Sequence, residues 1–332
     1  MKIVIPGGSG QVGTVLRRFL EREGHEVVIL TRNPDPEDPS EVFWDGSGPG
    51  DWAKSFEGAD AVINLAGRSV NCRYTPANRR EIKASRVDST RAVGEAIAGA
   101  KDPPKVWLQM STATIYEHTH GPPNDDLTGV IGGNEPNAPD TWNFSIDVAT
   151  SWEKAACEAT NGGTPSVSEG AERGIDSRKT RMVLMRSAIV MSPDRGGPFD
   201  ILLNLVRFGL GGASGDGRQF VSWVHEEDFA RAVLFLIETD SLSGPVNIAA
   251  PNSLPNKEFM RDLREAWGMP FGMPSPAFLL EIGAFFLRTE TELVLKSRRV
   301  VARRLSDAGF EFRFSDWKDA ADDLCRRWKA GA

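Results

Sequence analysis

Three glycines, Gly7, Gly10 and Gly13, stand three residues apart in the run IVIPGGSGQVG, directly after a short β-branched stretch and at the mouth of an amphipathic one. Each has a steric purpose in that setting. The first permits a tight turn, the second lets backbone approach a diphosphate with no Cβ in the way, and the third lets a helix pack closely on a sheet. The first N–H groups of such a helix and the positive end of its dipole then face the anion. Ser9, Gln11 and Val12, interleaved with the glycines, are expected at the same site. The spacing predicts a dinucleotide held at the start of the chain.

Nineteen residues beyond Gly13, Arg32 ends the run VVILTR, where a site selective for a free ribose hydroxyl carries Asp or Glu. A cation there suits a 2′-phosphate, so NADP is expected over NAD. Further on, Leu65, Ala66 and Gly67 follow a strand-like run, and small residues at a strand's carboxyl end let backbone lie against a cofactor.

His225, in FVSWVHEEDFARA, precedes an acidic helix start and titrates near neutral pH, which makes it an acid/base candidate by residue type; a histidine bonded to backbone is the competing reading. His118 and His120 lack a third ligand at suitable spacing and are read as solvated loop histidines. Arg186, inside VLMRSAIV, needs a partner if the strand is buried.

The elements that must position these groups follow from periodicity. Short runs rich in β-branched residues (KIVIP, EVVIL, DAVINLA, KVWLQMS, RMVLMRSAIVM) alternate with amphipathic stretches, which predicts a Rossmann-type, doubly wound α/β parallel sheet. Residues 117–143 and 160–178 are dense in turn formers and read as surface loops, the first either a lid or a plain insertion. We expect a dinucleotide domain over 1–195 and a smaller, mostly helical substrate-side lobe with a C-terminal extension over 196–332, within which 221–250 return to the sheet.

At 332 residues, with 40% hydrophobic and 26% charged residues, the chain has an ordinary globular balance. A net charge of −7 supplies no basic field for nucleic acid or an acidic membrane surface, so the expected partner is a small-molecule substrate. Three scattered cysteines fit neither a disulfide framework nor a zinc site, and a cytoplasmic location is expected. The start MKIVIPGGSG reaches glycines too early for a secretory signal, and AFLLEIGAFFL is short and carries Glu281, so no membrane span is expected. Monomer and homodimer both remain open.

Taken together, these features resemble the extended short-chain dehydrogenase/reductase superfamily. The runs NLAGRSV, RYTPANRREIKASRVDSTRAVGEAI, GRQFVSWVHEEDFARAV and RRLSDAGFEFRFSDW are similar to the YfcH-like epimerase-family branch. The resemblance implies a Ser or Thr at the end of the fifth strand that polarises the substrate. QMSTATIY sets Thr112 in that position, with Ser111 before it and Tyr116 four residues on. It also implies Ser85 and Arg86, inside ASRVDSTR, as site-facing residues at the cofactor. The superfamily's Tyr-x-x-x-Lys pair is missing. In WNFSIDVATSWEKAACEA, Phe144 or Ser145 falls at the tyrosine and Val148 or Ala149 at the lysine, and Tyr74 and Tyr116 are the chain's only tyrosines. A phenylalanine has no proton to exchange, so proton transfer must come from Tyr116, His225, a water or the substrate. An NADP(H)-dependent oxidoreductase or epimerase-like enzyme is the expected function, with a non-catalytic NADP(H)-dependent sensor or binding protein as the alternative.

Overall fold

The computed structural model describes residues 1–331 apart from 49, 137, 162–179 and 276–291. Its centre is a seven-stranded sheet of β1 (Lys2–Pro6), β2 (Glu26–Thr31), β3 (Glu41–Phe43), β4 (Ala61–Asn64), β5 (Val106–Thr112), β6 (Arg181–Ser187) and, after the short strands β7 (Ile189–Met191), β8 (Phe220–Val221) and β9 (Trp223–His225), β10 (Gly244–Ile248). The spatial order is β10-β6-β5-β4-β1-β2-β3, with every neighbour parallel. The direction of winding reverses at β1, so a crevice opens there at the carboxyl ends of β1 and β4. β3 lies between the runs EVVIL and DAVINLA; at three residues it is too short to show a period.

Both faces are covered. Alternate residues of one strand point to opposite sides, so Ile3 and Ile5 pack with α1 (Gln11–Arg22), while Val4 faces the other layer. α1 brings Val15, Leu16, Phe19 and Leu20 into the first core. α5 (Glu226–Glu238) joins it there through Phe229, Val233 and Leu236. The second layer holds Ala92, Val93 and Ile97 of α2 (Pro76–Gly99) and Ala156 and Cys157 of α3 (Asp140–Asn161). These two helices approach closely because Gly94 meets Ala159, where a Cβ on the glycine would lie 2.3 Å from the alanine's.

A third core lies beyond β6. It joins Phe199, Leu203 and Val206 of α4 (Pro198–Arg207), Phe259, Met260 and Leu263 of α6 (Asn256–Trp267), and the face of α9 (Trp317–Ala330) that carries Leu324 and Trp328. Trp317 stacks on Phe259 at 3.9 Å and donates its indole N–H to that residue's carbonyl. Two small pairings, parallel β7 with β9 and antiparallel β8 with β11 (Leu254–Pro255), brace this region, and the short helices α7 (Glu292–Leu295) and α8 (Arg303–Asp307) lie in the segment before α9.

Much of the loop expected over 117–143 is exposed, and backbone bonds hold it to the framework. α3 already begins at Asp140, and the segment before it is stitched down by backbone. Asn124 N–H donates to the Arg299 carbonyl, Val301 N–H to Asn124, and Gly132 N–H to Ile115. Its polar residues satisfy backbone groups: buried Asp126 accepts from the N–H groups of Asn247 and Arg304. Of the loop expected over 160–178, residues 160 and 161 close α3 and the rest lies outside the described residues. No helix among the described residues is long and apolar enough to cross a membrane.

Candidate functional site

The glycine turn behaves as its spacing requires. Gly7 has φ 75°, a left-handed conformation, and a Cβ there would lie 2.6 Å from the Ala66 Cα. A Cβ on Gly13 would lie 2.1 Å from the Gly8 carbonyl oxygen. Gly10 meets nothing nearer than the Gly7 carbonyl at 4.0 Å, so its surface is open to an approaching group. It is also the N-cap of α1, without a side-chain cap, and no acidic residue occupies the first turn. Beside it the Gln11 Nε2 is buried without a hydrogen-bond partner and presses on Gly197, where a Cβ would lie 1.9 Å away. Uncapped helix N–H groups, an orphan amide and an open glycine make this turn a candidate anion cradle. The Val12 side chain turns away from it and packs on the first core, leaving only its backbone at the turn.

Around the cradle, the Thr31 hydroxyl at the end of β2 donates to Ser9 Oγ at 3.0 Å, and exposed Arg32 follows it. Buried Asn64 ties the next wall. Its amide donates to Gln109 at 2.9 Å and its carbonyl accepts from the Ala66 N–H, which sets Leu65, Ala66 and Gly67 as a turn along the glycine loop.

A cavity of about 130 Å³ adjoins that wall. Thr112, at the carboxyl end of β5, opens onto it with Thr114 and Arg86, among apolar side chains that include Val70, Phe144, Val148 and Trp152. The Thr112 hydroxyl accepts from the Thr114 N–H at 3.2 Å, so its own hydrogen stays available to a ligand. Phe144 lies in the cavity wall, its ring 5.0 Å from that of Tyr74. Ser145 lies there too, and its hydroxyl donates to Glu292, a buried carboxylate from α7 that also pairs with Arg298 at 3.5 Å. Val148 lines the cavity, while Ala149 belongs to a separate buried cluster. A hydroxyl backed by a carboxylate therefore stands at one of the two positions, 144 and 145, where the resemblance puts a tyrosine.

The other candidate residues are bonded to the surrounding framework. Tyr116 is 2% exposed; its hydroxyl donates to Asn247 at 2.8 Å and accepts from Arg186 at 3.1 Å. Burial raises its pKa, against the Arg186 charge, which is opposite to what a neutral-pH base needs. Arg186 forms a two-point ion pair with Glu153, at 2.8 and 2.7 Å. Ser111, expected at the cofactor, donates to the same Glu153 at 2.6 Å, so its hydroxyl belongs to this buried network. Ser85, within α2, accepts from the Arg68 N–H and donates to the Ile82 carbonyl, which ties the loop at residue 68 to the helix.

His225 is fully buried. Its Nδ1 accepts from the Glu227 N–H and caps α5, its Nε2 meets Asp323 at 3.2 Å, and its ring stacks on Phe314. It braces α5 against α9 and does not line the cavity. His118, read as solvated, is instead half-buried: its Nδ1 accepts from the Ser297 N–H and its ring stacks on Trp142. Among the described residues no group of three or more His, Cys, Asp or Glu side chains is arranged to hold a metal.

Glu292, Arg298 and Ser145 as a polar group were not legible as cavity residues, nor was Glu153 as the partner of Arg186. Glu153 sits in an ordinary amphipathic helix, and Glu292 reaches the site from a segment with no motif. A buried strand arginine was the one hint that an acid had to lie opposite it.

An open parallel sheet in this order, with a glycine turn after the first strand and a cavity at the carboxyl edge, defines a Rossmann-type fold of the kind that binds dinucleotides. The chain belongs to the NAD dependent epimerase/dehydratase family, whose model matches residues 3–249, and a domain of unknown function, DUF1731, matches residues 275–324, the stretch that contains Glu292. The epimerase family protein SDR39U1 of Bos taurus is 30% identical over 95% of this chain and 97% of its own length. YfhF of Bacillus subtilis, also an epimerase family protein, is 30% identical over 98% of each. The crystal structure of human SDR39U1 (isoform 2) with NADPH superposes with a TM-score of 0.80 at 28% identity, covering 98% of this chain and 99% of that one. A UDP-N-acetylglucosamine 4-epimerase from Bacillus cereus, at 15% identity and a TM-score of 0.71, shares the fold alone. The resemblance read from the sequence runs is thereby borne out.

Proposed function

We propose that this protein is an NADP(H)-dependent oxidoreductase or epimerase-like enzyme acting on a small molecule held in the cavity beside Thr112. The observation that carries the reading is the contiguity of anion cradle and cavity: Gly7 touches Ala66, Gly67 lies against Arg86, and Arg86 lines the cavity with Thr112. The relationship to human SDR39U1, crystallised with NADPH, supports the choice of cofactor.

The turn from Gly7 to Gly13, with Ser9, the Gln11 amide and the backbone of Val12, would hold the diphosphate; Arg32 would meet the 2′-phosphate and Leu65–Gly67 the adjoining ribose. When bound, the nicotinamide supplies or receives a hydride. Thr112 donates its hydroxyl hydrogen to a substrate oxygen. Ser145 Oγ and Glu292 form the proton path: Glu292 accepts the Ser145 hydrogen, so in substrate oxidation Ser145 Oγ takes a proton from the substrate as its own passes to the carboxylate, and in substrate reduction the relay runs in reverse, from the protonated Glu292 through Ser145 Oγ to the substrate oxygen. Phe144, Val148 and Trp152 exclude water around these groups. A cytoplasmic location is part of the same reading, supported by free Cys72, Cys157 and Cys325.

The second reading, a non-catalytic NADP(H) binder, draws on the lack of a tyrosine and a lysine at residues 144–149. One experiment separates the two: purified protein is titrated with NADPH by fluorescence and then given a panel of sugars, ketones and quinones. Sustained NADPH oxidation with any of them eliminates the binder, and tight NADPH binding with no turnover across the panel counts against the enzyme. No NADPH binding at all overturns both.

A further inference from the structure

Arg86 stands apart from the other arginine that lines the cavity. Arg298 has Glu292 at 3.5 Å. Arg86 is held by neutral groups: one terminal nitrogen donates to the carbonyls of Arg68 and Ile82 at 3.0 Å each, and its guanidinium lies over the Trp152 ring, 5.0 Å from the centroid. Among the described residues no carboxylate bonds to it, and the one ionisable group there that bears on its charge is the Tyr74 phenol. Burial pushes its pKa down to about 10, so it remains a cation at neutral pH.

A half-buried cation with no counterion among the described residues is costly to keep. A fold retains one at low net cost when a ligand brings the opposite charge. The backbone ties hold one edge of the guanidinium and Trp152 supports one face; the remaining donors are a fork suited to two-point binding of a carboxylate. The surroundings define the rest of the ligand. Val70, Tyr74, Ile82 and Val148 are apolar or aromatic, and a space of about 130 Å³ is close to the ~150 Å³ that accepts a single benzene ring.

We propose that Arg86 anchors the anionic end of the substrate, and that the cavity takes an aromatic or branched aliphatic carboxylic acid whose apolar body lies against Val70, Ile82 and Val148. This rests on the reading of the cavity as the substrate site. A cofactor phosphate offers the same charge from the Gly67 side, so the test must separate the two.

The probes are phenylacetate and its uncharged isostere phenylacetamide, titrated by calorimetry into the full-length protein with and without NADPH, alongside NADPH itself and inorganic phosphate. Phenylacetate should bind at least about tenfold more tightly than the amide, and Arg86→Met should remove that preference while NADPH affinity stays within about threefold. Arg86→Lys, which keeps the charge and loses the fork, should retain part of it. Equal binding of acid and amide to the wild type overturns the proposal, as does no phenylacetate binding up to about 10 mM, a Kd equivalent to roughly −3 kcal/mol. A loss of NADPH affinity in Arg86→Met with phenylacetate unchanged assigns the cation to the cofactor and also overturns it. If Arg86→Met does not fold, the wild-type comparison and Arg86→Lys still decide. Failure of NADPH to bind the wild type would defeat the proposed function alone, because the titration without cofactor still reports on Arg86.

Discussion

The hydroxyl of Ser145, on α3, donates to Glu292, a residue 147 positions further along the chain that arrives on α7. Two elements far apart in sequence thus build one polar corner of the cavity, at one of the two positions where the superfamily's tyrosine is expected. If Ser145 and Glu292 move the proton, Glu292→Gln and Ser145→Ala should each lower kcat by about 100-fold with any substrate that supports NADPH oxidation, since a positioned acid or base contributes roughly that much or more. The NADPH dissociation constant should not change, because neither side chain belongs to the glycine cradle. Stopped-flow absorbance and a fluorescence titration measure the two quantities, and a variant at wild-type kcat would remove its residue from the proton path.

Arg32 sits exposed after the last residue of β2, next to the Thr31 and Ser9 hydroxyls that close the turn. Arg32→Glu should weaken NADPH binding by at least about tenfold, the equivalent of ~1.4 kcal/mol, and leave NADH binding unchanged or improved. Titrating both nucleotides by fluorescence reads this directly, and an unchanged NADPH affinity would show that another group holds the 2′-phosphate.

Tyr116, Asn247, Arg186 and Glu153 form a buried chain of bonds outside the cavity. Tyr116→Phe leaves the Asn247 carbonyl and one Arg186 nitrogen short of a partner, a loss of about 1–3 kcal/mol. The melting temperature should fall by several degrees while kcat stays near wild type. Arg186→Met strands the Glu153 charge and should be worse, about 3–5 kcal/mol. A Tyr116→Phe protein with normal stability and no turnover would restore the tyrosine as a catalytic group.

The contact between His225 and Asp323 makes a pH prediction. The hydrogen bond from His225, with smaller contributions from Arg327 and Arg326, lowers the Asp323 pKa from an ordinary 3.8 to about 2. A carboxylate with a depressed folded-state pKa stabilises the fold fully above its unfolded pKa, and that stabilisation is lost as pH falls through the folded value. Asp323→Asn should therefore be less stable than wild type by about 1 kcal/mol near pH 6, allowing for solvent screening. The gap should narrow between about pH 4 and pH 2. Denaturant midpoints at pH 6 and pH 3 test it, and a gap that does not shrink would show that the contact acts through packing alone.

Local and periodic features were readable from the chain. The glycine spacing defined the anion cradle because each glycine answers a steric demand within a few residues: Gly7 against Ala66 and Gly13 against Gly8 are close approaches that any Cβ would block. Alternation of strand and helix periods defined the parallel sheet, since side-chain direction repeats every two residues in one and every 3.6 in the other. The absence of a tyrosine and a lysine at residues 144–149 was equally plain.

What the tertiary structure decided is which polar groups meet. Thr112, Ser145, Glu292 and Arg86 come from β5, α3, α7 and α2, and only the packing of those elements brings them around one cavity. Tyr116, Ser111 and His225 have residue types suited to chemistry, yet buried polar atoms must find partners, and for each the available partner lay in the framework: Asn247, Glu153 and Asp323. Residue type and spacing state what a side chain can do; burial and the identity of its nearest partner, set by contacts between segments far apart in the chain, determine whether it is left free to do it.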